Sequence, residues 1–271
     1  MRISFTLAAL LFFWSPAQSF TQGQQLPESP QSQKPSTHVA DCRLPESFDL
    51  LKIESSGALL HGDGHFRNFP GGPYDLKSML RASVDFKSWL EKNKGRDEMS
   101  DGYCYFSIIS KYAPALITLL DSLRLEEVVL LYDDNDMPFR LFAKEKSEGV
   151  LLSAVTSGQI YNILKLDARQ RAAKEFDSTG MPILRKMRTA LSQMPVQFYG
   201  VIISYGARDF SQSEEGGMDV YSDVLAVVTE RENCQNLEEG KITEDEFADK
   251  SDIYLSSGSD PALVKTRLKF E

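Results

Sequence analysis

The stretch Val128 to Val155, VVLLYDDNDMPFRLFAKEKSEGVLLSAV, decides the fold. Its three apolar runs, Val128 to Tyr132, Phe139 to Lys144 and Val150 to Val155, have the β-branched and aromatic content of strands. The clusters between them, Asp133 to Met137 and Lys146 to Gly149, are rich in turn-formers. A parallel connection needs a crossover of roughly a dozen residues or more, so links this short force an antiparallel meander.

On the C-terminal side, Gln159 to Leu166 reads as either strand or helix, with helix favoured, followed by the strongly helical Asp167 to Phe176. Gly180 and Pro182 are expected to break that helix and to start another, buried through Ile183, Leu184, Met187 and Leu191. Phe198 to Tyr205 and Val224 to Thr229 read as strands, joined by a polar, glycine-bearing loop from Ser211 to Met218. Thr243 and Glu246 have capping-box spacing, and Lys265 to Phe270 alternates as a closing strand.

On the N-terminal side, Leu116, Leu119, Leu120 and Leu123 mark a buried helical stripe, with Pro114 expected in its first turn. The aromatic run Gly102 to Ile109 ahead of it reads as a strand. Asp75 is placed to cap an earlier helix that ends near Asn93, and Ala58 to Phe69 reads as a short hairpin about Gly62-Asp63-Gly64. Hairpins beside helices without regular βαβ alternation specify an α+β protein: a mainly antiparallel sheet with helices packed on it. The expected organisation is a single globular domain over residues 42–271.

Two segments precede that domain. Residues 1–19, MRISFTLAALLFFWSPAQS, have a positive n-region at Arg2, an apolar block and small residues at Ala17 and Ser19, which together form a cleavable signal peptide. The expected location is therefore secreted or periplasmic, with no transmembrane anchor in the mature chain. Residues 20–41 are rich in Gln, Pro and Ser and cannot bury enough apolar surface to offset their ordering entropy, so they read as a disordered spacer.

A net charge of −9 argues against nucleic acid as a partner, because phosphates would be repelled. The acidic run from Glu230 to Asp252 is interrupted by Leu237, Ile242, Phe247 and Ile253 and reads as a folded, solvated face. In an oxidising compartment Cys42, Cys104 and Cys234 are disulfide candidates, with Cys42 expected to pair with one of the other two. Cys104 among Tyr103, Tyr105 and Phe106 reads as buried or bridged rather than nucleophilic.

His61, Asp63 and His65 flank and occupy the proposed hairpin turn, where two imidazoles and a carboxylate could hold a divalent transition metal. The longer string His61 to Phe69, HGDGHFRNF, resembles the catalytic loop of the aminoglycoside-phosphotransferase and choline-kinase group, whose pattern runs His-Gly-Asp-x-His-x-x-Asn. The resemblance implies that Asp63 orients an acceptor hydroxyl and Asn68 ligates magnesium. It spans nine residues of 271, and fewer than twenty separate Cys42 from His61, which leaves no room for that group's nucleotide-binding lobe. Asp133 to Asp136 departs from a calcium loop at Met137 and Pro138 and reads as a hairpin turn.

The residues thus point first to an exported, non-catalytic binding or interaction module needing no cofactor, with a protein or envelope component as partner. Its interaction loop is expected at Ser211, Glu214, Glu215 and Met218, since polar loops on rigid sheets carry recognition. The alternative is a metal-dependent hydrolase centred on His61, Asp63 and His65.

Overall fold

The computed structural model describes residues 44, 76–94, 101–125, 128–130, 138–211, 221–257 and 260–270. They form helices and a mostly antiparallel sheet, an α+β fold. In chain order the elements are helices α1 (Leu76–Asn93) and α2 (Asp101–Leu125), and strands β1 (Val129–Leu130), β2 (Phe139–Lys144) and β3 (Ser147–Asn162). Helix α3 (Ala168–Glu175) runs through a π-helical turn (Phe176–Gly180) into α4 (Met181–Ala190). Strands β4 (Phe198–Arg208) and β5 (Tyr221–Glu230), helices α5 (Arg231–Glu238) and α6 (Glu244–Asp249), and strands β6 (Asp252–Ser257) and β7 (Asp260–Lys265) complete the series.

The sheet order is β1-β3-β4-β5-β6-β7, with β2 also paired to β3. β1 pairs with Val155 and Thr156, whereas β2 pairs with 147–152, so the two lie end to end along one edge of β3. Only β3 and β4 run parallel, and α3 and α4 supply the crossover between them. The β2–β3 turn is Glu145–Lys146, at φ 53° and 67°, rather than Lys146 to Gly149. Gly149 is instead a strand residue opposite Phe142, whose ring occupies the space that a Cβ would fill.

Side chains alternate between two buried faces. Val150, Leu152, Tyr199, Val201, Ile203, Tyr205, Leu225 and Val227 meet the helices. Phe142, Leu151, Phe198, Ile202, Ala226, Val228 and Tyr254 form a second apolar cluster on the opposite face. A strand buried on both sides reads as an unbroken apolar run, as Val201 to Ile203 and Val224 to Val228 do. The second face is concave. β2 and β6 are four strands apart in the sheet, about 19 Å if it were flat, yet Lys144 Nζ lies 2.6 Å from Asp252 Oδ2. Gly200 sits on that face against Leu151 Cδ1 and Val228 Cγ2, where a Cβ would stand 2.7 Å and 3.2 Å from them. Its missing side chain lets the strands close.

Several expectations are corrected. Gly102 to Ile109 is helical, and Pro114 lies inside α2 rather than in its first turn. Ile109 and Leu116 are fully buried on the same stripe as Leu120 and Leu123, so burial outweighs the local aromatic content. Pro114 is on the exposed side of the helix, where the loss of one backbone hydrogen bond costs least. Gln159 to Asn162 continues β3, with Ile160, Tyr161 and Asn162 paired to Gly206, Ala207 and Arg208. The closing strand is β7, and residues 266–270 follow it without strand structure.

Gly180 and Pro182 do not break the helix. The Met181 N–H reaches back to Phe176 O, a five-residue step. Pro182 cannot donate to the Ser178 carbonyl and its ring would strike it, so the helix widens by one residue and continues. Asp167 caps α3 with a full capping box, its Oδ1 accepting from Gln170 N at 2.9 Å. Thr243 and Glu246 form the box expected at α6.

Candidate functional site

Two interrupted elements face each other. Between Thr156 and Ile160, β3 spends three residues, Ser157-Gly158-Gln159, opposite the single residue Tyr205 of β4. Across from this bulge stands the π-helical turn, with Ser178 and Thr179. Bulges and π-turns both aim side chains away from regular ladders and recur at functional sites. Between them opens a cleft of about 340 Å³. Thr156, Ser157, Gln159, Ser178 and Thr179 give it a hydroxyl- and amide-rich side. Leu123, Val128, Pro182 and Ile183 give it an apolar side, and Lys186 also lines it.

Beneath the hydroxyl side lies Glu175, the last residue of α3, with no exposed surface. Tyr161 donates its phenolic hydrogen to Glu175 Oε2 at 3.1 Å, whereas Oε1 has no hydrogen-bond partner. Burial raises the carboxyl pKa, and the neighbouring hydroxyls of Thr179, Ser157 and Tyr161 partly offset the rise. The Ser157 Oγ already accepts the Gln159 N–H at 3.1 Å, so its own hydrogen is available to an acceptor. Tyr205 packs edge-on against Tyr161 at 5.7 Å, and its buried hydroxyl has no partner either. Burial, first, and then Asp223 push the Tyr205 pKa well up, so the phenol stays protonated.

One turn earlier, Arg171 fastens α3 to the sheet. Its guanidinium reaches Asp223 Oδ2 at 2.7 Å, Ser257 Oγ at 2.9 Å and the Leu166 carbonyl at 2.9 Å. Ser257 in turn donates to Asp223 Oδ1 at 2.8 Å. This pair is buried and hydrogen-bonded on both sides, the condition under which desolvation is offset. It fixes the helix that carries Glu175. The π-turn is held from its other side by Phe176 stacked on Phe247 at 5.2 Å.

The structure describes few of the residues singled out in the sequence. His61, Asp63, His65, Asn68, Cys42, Glu214, Glu215 and Met218 lie outside the described residues, as do Asp133 to Asp136. So do residues 1–41, the proposed hairpin at 58–69 and the proposed cap Asp75. Cys104 is on α2, and Cys234 on α5 is a free, buried thiol whose pKa burial pushes to about 12. Ser211 is exposed, its N–H and hydroxyl both directed to Asp209 Oδ1. Among the described residues no group of three or more His, Cys, Asp or Glu is placed to hold a metal, and no helix is long and apolar enough to cross a membrane.

Sequence reasoning does not single out the cleft residues. A signal for them exists: Arg171, Ala172, Glu175 and Phe176 share one face of α3, so an arginine and a glutamate four apart lie among buried partners. A second, more open depression of about 520 Å³ lies beside Gln197 and Glu230. Its arginine, Arg231, is already bonded to the Ser192 and Met194 carbonyls.

The fold and this cleft define the class: an α+β protein with a small polar-and-apolar cavity where a bulged strand meets a widened helix. Comparison of the chain with protein-family models, with curated proteins and with solved structures finds no match in any of the three.

Proposed function

We propose that the protein is an exported, non-catalytic binding module whose ligand is a small organic molecule seated in the β3–π-turn cleft. The observation that carries the reading is the paired interruption of β3 and α3–α4 around one cavity of small-molecule size. The signal-like residues 1–19 support the address. Recovery of the chain outside the cytoplasm, with residues 1–19 removed, is the outcome expected on fractionation and N-terminal sequencing. Recovery of the uncleaved chain inside the cell overturns the address.

Gly158 makes the cleft itself testable. A Cβ there meets nothing within 4 Å, so Gly158→Phe fills the cavity at little cost to the fold. Thermal unfolding is followed with separate panels of sugars and polyols, amino acids, and short carboxylates. At least one panel member should raise the wild-type Tm, and G158F should keep the parent Tm but lose that response. If no panel member shifts the wild type, or if G158F responds as fully as the parent, the cleft is not the binding seat.

A further inference from the structure

The cleft reading leaves the ligand class open, and the groups behind its polar side narrow it. Glu175 is too deeply buried to touch a ligand. It is flanked instead by the side chains of Ser157 and Thr179, which do line the cavity. Its Oε2 is occupied by Tyr161, and its Oε1 is a buried acceptor without a hydrogen-bond partner. A hydroxyl has one hydrogen and two lone pairs, so a hydroxyl that donates inward presents only lone pairs outward. The backbone supports this at Ser157, where the Gln159 N–H fills one lone pair and leaves the hydrogen and the second lone pair to be divided between Glu175 and the cleft.

We infer that Glu175 is the positioning residue of the cleft: it turns the Ser157 and Thr179 hydroxyls so that their oxygens accept from ligand O–H groups, and the cleft selects a neutral polyhydroxyl ligand, a monosaccharide or cyclic polyol. This inference rests on the cleft being the binding seat. The remaining lining agrees with it. Thr156, Gln159 and Ser178 add neutral polar groups, whereas Leu123, Val128, Pro182 and Ile183 suit the C–H face of a saturated ring. Lys186 lines the same cavity, so a cationic ligand meets like charge there.

The probes are myo-inositol and glucose, with cyclohexanol as a ring stripped of hydroxyls and fully O-methylated inositol as a ring that can only accept. Wild-type protein should bind a polyhydroxyl probe and discriminate against both controls by titration calorimetry. Loss of one oriented hydroxyl, in Ser157→Ala or Thr179→Ala, should weaken binding about five- to tenfold. Thr179→Ser should retain it. In Glu175→Gln the amide can donate toward the hydroxyls, so discrimination between inositol and its methyl ether should shrink by a similar factor at unchanged fold. That ratio does not respond to a purely structural defect, and S157A and T179A carry the test if E175Q fails to fold.

Polyol binding that is insensitive to S157A and T179A overturns the inference, as does preference for cyclohexanol. Binding of an amino acid or carboxylate alone, abolished by G158F, overturns the inference while leaving the cleft reading intact. Silence from every panel overturns both.

Discussion

Glu175 carries a pH signature that can be read without any ligand. Its carboxyl is buried first of all by the packing of α3 on the sheet, and burial raises its pKa above the ordinary 4.5 despite three flanking hydroxyls. Between the ordinary value and the raised one, the folded state holds a proton that the unfolded chain has released. Stability from this group is therefore greatest below the ordinary carboxyl pKa and declines as pH rises through the folded value. Glu175→Gln cannot titrate. Urea unfolding from about pH 4 to about pH 8 should show the wild type losing ground steadily against E175Q, the two curves converging at the acid end. Asp177 is exposed and present in both proteins, so its own titration cancels in the difference. A constant offset across that range would mean that folding leaves the pKa of this carboxyl unshifted.

At the scale of elements, what the sequence discloses follows which forces are local. Phe139 to Lys144 is legible as a strand because its alternation and its flanking turns are short-range. The capping boxes at Asp167 and Thr243 are legible for the same reason. Gly102 to Ile109 misleads because aromatic and β-branched content describes a half-buried surface of either kind, and here Phe106 faces Trp89 of α1 at 5.5 Å across a helix pair. The cleft is illegible because both of its walls are departures from regular structure. Pro182 with Gly180 looks like a helix break, and the tertiary packing that accompanies the widened turn, Phe176 against Phe247 and against Gly180, is not visible in the local sequence. Ser157-Gly158-Gln159 looks like an end to β3, and only the register with β4 carries the strand on to Asn162. The Glu145–Lys146 turn places two non-glycine residues at positive φ, a choice that turn chemistry alone would not indicate.

Across the whole sheet, curvature is a tertiary property held by contacts between strands that are not neighbours. Asp252 on β6 receives Lys144 from β2 at 2.6 Å and Lys265 from β7 at 2.7 Å, and the Lys144 ammonium also lies 4.9 Å from the centre of the Phe198 ring. These contacts close one end of the concave face over Phe142, Leu151 and Val228. Burial by itself would raise the Asp252 pKa, yet the hydrogen bonds from the two lysines hold it below the ordinary 3.8. A carboxyl depressed by folding contributes its stability above the unfolded pKa and loses it as pH falls through the folded value. Asp252→Asn removes the charge that both lysines share, and should cost on the order of 1 kcal/mol near neutral pH, since the pair is only half-buried. The deficit should disappear as acidification carries the wild-type carboxyl through its depressed folded pKa and protonates it, and should narrow in high salt because the Lys265 partner is exposed. Chemical denaturation of both proteins across pH and ionic strength decides the matter. A deficit that persists unchanged into acid would show that the substitution disrupts packing rather than a charge pair, and that the curl is held by the glycines and the apolar cluster alone.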